Sequence, residues 1–209
     1  MSYVETIGAT TFLRGTYEFG AGEIDYRSDD GARIDNVKQG VGQLELHIGK
    51  DFRFDDVTLT VFTGIGARAL IDGSGGRQAS NEAFGYDREI GYAFVPLGLA
   101  ANLPAGRTRL LLSAQLNPVF GGKADSKLSD VDSELPDLEL DLRGGQGFEL
   151  SGIAAFPLGE REIRFGSVLR HWRLERSRSQ TFTGPEGSVT LFEPASRTTE
   201  LSMRLGLAF

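Results

Sequence analysis

The chain ends on the stretch Leu201-Ser202-Met203-Arg204-Leu205-Gly206-Leu207-Ala208-Phe209, in which apolar residues recur at every second position. Because successive side chains of a β-strand point to opposite faces, this spacing predicts a strand with one wholly apolar face. The apolar face comprises Leu201, Met203, Leu205, Leu207 and Phe209. The opposite face carries small or charged groups, among them Arg204. The stretch therefore predicts an all-β protein and sets the pattern that the other strands should follow.

Two environments suit such a strand, and they orient it in opposite ways. In a water-soluble sheet the apolar face covers a core and the polar face meets solvent. In a transmembrane barrel the apolar face meets lipid and the small, polar face points into the lumen. The rest of the sequence must decide between them.

Composition narrows the classes of function. The 209 residues include 28 Gly, two His and no Cys, and the formal net charge is −7. This length fits a single domain. The absence of Cys excludes disulfides, thiolate metal sites and a cysteine nucleophile. The acidic balance argues against nucleic acid as a partner, since neutralising phosphates needs a basic surface.

No stretch has the length of a membrane-spanning helix. The most apolar window, residues 92–101, is about ten residues long and contains Pro96 and Gly98, whereas a spanning helix needs about 20. The first residues also lack the basic start and apolar core of a signal peptide. Combined with the strand pattern, this predicts that the sequence is the mature form of an exported protein.

Alternation predicts eight strands, separated by connections of two kinds. The strands are expected at 11–26, 37–52, 57–71, 86–101, 107–121, 143–156, 162–176 and from about 195 to 209. Short turns follow the second, fourth and sixth strands, and long polar loops follow the first, third, fifth and seventh. Outer-membrane barrels show this asymmetry. A soluble eight-stranded barrel is the alternative, but the Gly-rich faces opposite the apolar ones favour the membrane orientation.

The closing strand, the Tyr and Phe residues at strand ends and the loop lengths together resemble the small eight-stranded outer-membrane β-barrel proteins, the class of the OmpA transmembrane domain and OmpX. The resemblance covers nearly all of the chain from Thr11 to Phe209. It implies a transmembrane eight-stranded antiparallel up-and-down β-barrel with short periplasmic turns and long extracellular loops. Residues 1–209 would form this single domain, with 1–10 as an N-terminal periplasmic segment.

The resemblance also implies a location and partners. It places the protein in the outer membrane of a Gram-negative bacterium, as a monomer surrounded by outer-membrane lipid and lipopolysaccharide. The barrel-assembly machinery would recognise the C-terminal strand through Leu201, Met203, Leu205, Leu207 and Phe209. Neither a cofactor nor a metal is expected, and the ligand of the extracellular loops is not defined by the sequence.

Charged residues near the middle of the strands fall on the predicted inner faces. They are Glu18, Glu45, Arg68, Glu149, Arg164, Arg170, Glu200 and Arg204. An eight-stranded barrel is only wide enough for side chains to fill it, and an unpaired charge there costs several kcal/mol. The sequence therefore predicts a lumen charge network that plugs the barrel. The alternative is a narrow gated pore, in which an Arg exchanges between Glu partners.

Catalytic and metal-binding interpretations have weaker support. Outer-membrane enzymes of this class that modify outer-leaflet lipid use a Ser-His pair, but Ser177 lies six residues beyond His171. The acidic loop around Asp125–Asp141 offers carboxylates that Ca²⁺ favours, without the spacing of an EF-hand. We therefore predict a non-enzymatic barrel with a structural or surface-interaction role. A small-solute pore is the alternative, and a lipid-modifying enzyme is a more distant one.

Overall fold

The computed structural model describes residues 2–6, 10–27, 33–82, 84–133, 136–184 and 187–208, which form an all-β, barrel-like fold. Thirteen strands and one 3-10 turn at Leu128–Asp130 make up its regular structure within these residues. The strands are β1 (Ser2–Thr6), β2 (Thr11–Arg27), β3 (Arg33–Phe54), β4 (Val57–Gly73), β5 (Arg88–Phe94), β6 (Leu97–Ala105), β7 (Thr108–Ser126), β8 (Leu138–Leu142), β9 (Gly145–Leu158), β10 (Arg161–Leu174), β11 (Gln180–Gly184), β12 (Gly187–Leu191) and β13 (Ser196–Ala208). In the described residues, no helix is long and apolar enough to cross a membrane.

The main sheet is an antiparallel meander in the order β1-β2-β3-β4-β5-β7-β9-β10-β13. Strands β5 and β6 both lie between β4 and β7, so they act as one strand interrupted at Val95-Pro96. Pro has no N–H to donate to a ladder, and the Val95 N–H turns to the carbonyl of Pro118 at 3.0 Å. This composite strand covers the region predicted as strand four.

Three hairpins of the main sheet close with connections of two residues, all at the same end of that sheet. The connections are 55–56, 106–107 and 159–160. Each begins with a residue of positive φ, namely Asp55, Gly106 and Gly159, as two-residue hairpins favour. We call this end of the sheet the turn end and the opposite end the loop end.

Strands outside the predicted set lie toward the N-terminus and at the loop end. β1 forms within the predicted N-terminal segment and pairs with β2, and β11 pairs with β12 in a separate hairpin. β8 forms in the region predicted as the long acidic loop and extends the sheet beside β7. It does so because Leu138, Leu140 and Leu142 alternate and are buried. The strand was not predicted because the acidic composition of this region indicated a loop, although its leucines alternate.

The outer face of the sheet and its interior carry different side chains. Large apolar residues are exposed on the outer face, while the interior holds buried polar and charged residues together with apolar ones. On β3, for example, Leu44, Leu46 and Ile48 are exposed, whereas Glu45 and His47 between them are buried. On β13, Leu201, Met203, Leu205 and Leu207 lie on the exposed face. Phe209 lies outside the described residues.

The sheet curls until its first and last long strands approach each other. Arg204 of β13 forms an ion pair with Glu18 of β2, which closes the ring of interior side chains. The backbone ladders of the described residues do not join these two strands: β13 pairs with β10, and β2 pairs with β3 and β1.

Candidate functional site

The interior of the barrel core holds a network of charged and amide side chains contributed by seven strands. Its centre is Arg170 on β10, whose guanidinium lies 2.6 Å from Glu18 Oε2 and also contacts Glu149. Glu18 in turn accepts from Arg204. One carboxylate of β2 thus binds two arginines that come from β10 and β13. These contacts cross the gap between the first and last long strands.

Glu45 organises a second half of the network on β3. Its carboxylate accepts hydrogen bonds from Gln43, from His47 Nε2 at 2.7 Å and from Gln115 at 3.0 Å. The other ring nitrogen of His47, Nδ1, lies 3.1 Å from a guanidinium nitrogen of Arg14. With Nε2 donating to the carboxylate and Nδ1 accepting from Arg14, a neutral imidazole satisfies both contacts.

Arg68 on β4 links Gln43 of the Glu45 group to the last strand, β13. It donates to Gln43 Oε1 at 2.8 Å and to Glu200 on β13. Its guanidinium also lies 5.5 Å from the centre of the Trp172 ring, a geometry that favours a cation–π interaction. Its side chain is only 1% exposed, so these partners take the place of water at its terminal nitrogens, while its buried Nε has no hydrogen-bond partner among the described residues.

Seven of the eight residues predicted for the lumen network lie in these two groups, and the eighth, Arg164, does not. Arg164 pairs with Glu162 at 3.0 Å near the turn end, where Arg109 also contacts Glu162. Alternation places Arg164 on the inner face, but its height along the strand puts it below the network. Arg14 takes the fourth basic position instead. Four arginines and four glutamates therefore remain in balance.

The uncharged members of the network and Arg14 were not predicted from the sequence. Gln43, Gln115 and Asn117 share the inward parity of the glutamates, and Gln115 donates to Asn117 Oδ1 at 2.8 Å. Strand parity was the signal that would have found them. The predicted network contained only charged residues and therefore left out the amides, which supply both a donor and an acceptor between carboxylates.

An apolar layer separates this network from the loop end. Its rings are Tyr92, Phe94 and Trp172, with the Trp172 ring 5.2 Å from Tyr92 and 5.1 Å from Phe94 in edge-on contacts. Phe94 is 0% exposed and Trp172 2% exposed. Five aliphatic side chains complete the layer: Ile90, Val119, Ala124, Leu142 and Leu174. A cluster of buried, mainly apolar side chains therefore lies between the charges and the loop end.

Inward-facing glycines provide the room for these rings. Gly66 pairs directly with Phe94, and Gly147 with Trp172. A Cβ at either glycine would overlap the ring of its partner. Each ring therefore lies flat over a neighbouring backbone instead of beside a side chain. The Gly-rich inner faces that favoured a membrane barrel in the sequence thus have a specific packing role here.

A second polar group lies above the apolar layer at the loop end. Arg88 Nη2 is 2.6 Å from Asp72 and Nη1 is 2.7 Å from Glu193. Glu193 lies between strands, and its backbone N–H donates to Ser177 Oγ at 2.8 Å. Burial raises the pKa of Glu193, and the charge of Arg88 opposes that shift. The interior is therefore layered as polar, apolar and polar from the middle of the barrel to the loop end.

The remaining candidate residues lie apart from the network. His171 is on the exposed face, where Nδ1 is 2.9 Å from Thr199 Oγ1. In the acidic loop, Lys123 pairs with Glu139, and Lys127 with Asp137 at 2.9 Å. Within the described part of the chain, no group of three or more potential metal ligands is assembled. No protein-family model matches the chain, and no curated protein is significantly similar to it.

Proposed function

We propose that the protein is an integral outer-membrane β-barrel with a plugged lumen, and that it serves a structural or surface-interaction role through its loop end. The proposal assigns lipid to the exposed apolar face and the cell exterior to the loops. The observation that carries it is the height of the apolar belt on the outer face.

Charges bound this belt at matching distances on two distant strands. On β3 the outward positions from Gly40 to Ile48 are uncharged, between Lys38 and Lys50. On β10 the outward positions from Ile163 to Leu169 are uncharged and are followed by the polar His171, between Arg161 and Arg173. Each interval spans about 12 residues, which at a rise of about 3.3 Å and a tilt of about 35–45° is roughly 28–32 Å. The hydrocarbon core of a bilayer is about 30 Å thick.

Eight strands, counting β5 and β6 as one, are enough to form a barrel across this belt. In the proposal they are β2, β3, β4, β5 continued by β6, β7, β9, β10 and β13. The two-residue turns at Asp55, Gly106 and Gly159 would face the periplasm, since short turns lie there in outer-membrane barrels. β8, β11, β12 and the 3-10 turn would then belong to the extracellular side.

The interior supports a plug more than a channel. Three of the four arginines of the network form ion pairs with carboxylates, and the fourth, Arg14, is hydrogen-bonded to His47, so all four have partners inside the barrel. Above them, the layer of Tyr92, Phe94 and Trp172 is buried and offers water few partners. A barrel of this size has room only for side chains. Function is therefore assigned to the loop end, where recognition residues commonly lie.

The direct test is insertion into a bilayer. Urea-unfolded chain diluted into phospholipid vesicles should yield a band of altered mobility in an unboiled detergent gel, and boiling should convert it to the unfolded position. The same chain diluted into buffer without lipid should not yield that band. A soluble, monomeric protein whose mobility is indifferent to boiling would contradict the proposal.

A gated pore is the second candidate, because Arg170 contacts Glu18 and Glu149 together and has an exchange partner ready. Planar-bilayer recordings separate the two. The plugged barrel predicts no steady conductance in the unaltered protein, and conductance should appear when the apolar layer is opened by Trp172→Ala. A large, stable conductance of the unaltered protein, lost in Glu149→Gln, would support the pore instead.

A further inference from the structure

The edge between the first and last long strands differs from every other strand boundary of the main sheet. One edge of β2 pairs with β3 from Thr11 to Arg27. On its other edge, β1 pairs with β2 only over Phe12–Thr16. β13 pairs with β10 along its length. In the described residues no ladder joins β2 to β13, and we call this boundary the seam.

Side chains along the seam are the most exposed apolar groups of the outer face. On β13, Leu201, Met203 and Leu205 are 75%, 72% and 80% exposed, and Phe19 on β2 is 71% exposed. The next most exposed large apolar residue of the described chain, Leu99, is at 62%. The excess follows from the missing neighbour: a paired strand would cover the flanks of these side chains.

The charged network is also most accessible at the seam. The side chains of Arg204, Glu200 and Glu18 are 35%, 30% and 26% exposed, whereas those of Arg68 and Arg170 are 1% and 9% exposed. Among the ion pairs of the described residues, that of Arg204 with Glu18 bridges the two strands, and Arg170 of β10 binds the same carboxylate. The seam therefore leads from the outer face to the charged interior.

We propose that β1 is an exchangeable edge strand, which holds the seam open at the turn end and which β13 displaces to close it. β1 uses the backbone edge of Phe12–Thr16. If β13 paired with β2 in the register set by the Arg204–Glu18 contact, the residues from Arg204 to the end of β13 would occupy that same edge. A ladder edge takes one strand at a time, since each N–H and C=O has its partner there.

The environment decides how much the exchange matters. In hydrocarbon an unpaired strand edge is costly because no water satisfies its N–H and C=O groups. β2 keeps a partner at its turn end in either state, β1 in the open one and β13 in the closed one, but only the closed state also pairs the rest of this edge, so hydrocarbon favours closure. This consequence rests on the proposed function, whereas the exchange concerns backbone pairing and is measurable in any medium that keeps the protein folded.

The test uses competition for one residue in a chain without native Cys. Gly15 lies opposite Tyr3 in the β1–β2 register, and a Cβ at Gly15 meets no atom within 4 Å. Partners in an antiparallel ladder have Cα atoms about 4.5–5.5 Å apart, within disulfide range. The variants carry Tyr3→Cys and Gly15→Cys with a third substitution on β13, either Leu205→Cys or Leu207→Cys. Peptide mapping after mild oxidation identifies the partner chosen by position 15.

The open seam predicts that position 15 bonds mainly to position 3. Adding Val4→Pro removes an N–H from β1 and should lower that product at least tenfold, while the product joining 15 to 205 or 207 rises. The matched control Val4→Thr keeps the N–H and should leave the ratio unchanged within twofold. A dominant product with β13 before Val4→Pro, or no rise after it, would overturn the proposal. Run in detergent micelles, the assay does not depend on bilayer insertion, so its failure is distinguishable from failure of the proposed function.

Discussion

The apolar belt predicts that replacing one exposed leucine by a charged residue lowers the stability of the fold far more than the same change would on a surface that faces water. Leu44 lies midway between Lys38 and Lys50 on β3, six residues from each, and its side chain is 57% exposed. Six residues of tilted strand correspond to roughly 14 Å, about half the hydrocarbon thickness. In the proposed membrane orientation, Leu44→Arg therefore puts a guanidinium near the midplane of the bilayer.

The expected cost of Leu44→Arg is about 2–4 kcal/mol, which lowers the folded-to-unfolded ratio roughly 30- to 700-fold. Val131 provides the matched control, because it is also an exposed aliphatic residue but lies just after the 3-10 turn at the loop end. Val131→Arg should change stability by no more than about 0.5 kcal/mol, as for an ordinary surface position.

The assay is urea titration of both variants in phospholipid vesicles, with the folded fraction read from unboiled gel mobility. A lower urea midpoint for Leu44→Arg alone is the expected result. If both variants keep the midpoint of the unaltered protein, the exposed face does not meet hydrocarbon. Improved recovery of Leu44→Arg in lipid-free buffer would refute the reasoning more directly, because it is the behaviour of a soluble protein relieved of a surface apolar group.

Three further predictions concern the interior and the loop end. Gly147→Ala forces a Cβ into the Trp172 ring and should lower the free energy of unfolding by about 1–3 kcal/mol. The control Gly91→Ala, with open space at its Cβ, should be near neutral. Equal urea midpoints of the two variants would contradict this packing. Arg68→Ala leaves Glu200 without its buried partner and should lower the free energy of unfolding by about 3–5 kcal/mol. Arg164→Ala, at a more exposed position, should lower it by at most about 1 kcal/mol. The reverse order of the two variants in the same titration would contradict a network centred on the buried arginines. Hydrogen bonds from Lys127 and Ser129 lower the pKa of Asp137 to about 2. Because this pKa is depressed in the folded state, the contact is fully present above about pH 4 and is lost as the pH falls toward 2. Carboxyl chemical shifts should show that midpoint in the folded protein and not in Lys127→Met.

The strand faces were predictable because parity is a local property. Once Leu201, Met203 and Leu205 define one face, Arg204 must lie on the other, and the structure orients β13 in this way. Strand positions followed for the same reason, and the interruption at Pro96 falls inside the region predicted as strand four.

Height along the barrel was not predictable from parity. Arg164 and Arg170 have the same parity on β10, yet only Arg170 joins the central network. Their difference depends on the stagger between strands, which tertiary pairing sets. β1 was missed for a related reason, because its five residues form a strand only where the edge of β2 is available.

The pairing of glycines with rings also constrains how this sequence can change over generations. Loss of the Trp172 ring would leave a void over Gly147, and a side chain gained at Gly147 would expel the ring. Either step alone is unfavourable, so the two positions should be inherited together and replaced together. The same applies to Gly66 with Phe94 and to Gly98 with Phe62. In any set of descendants, correlated exchange at these positions would record which strands are neighbours, even after the rest of the sequence has diverged.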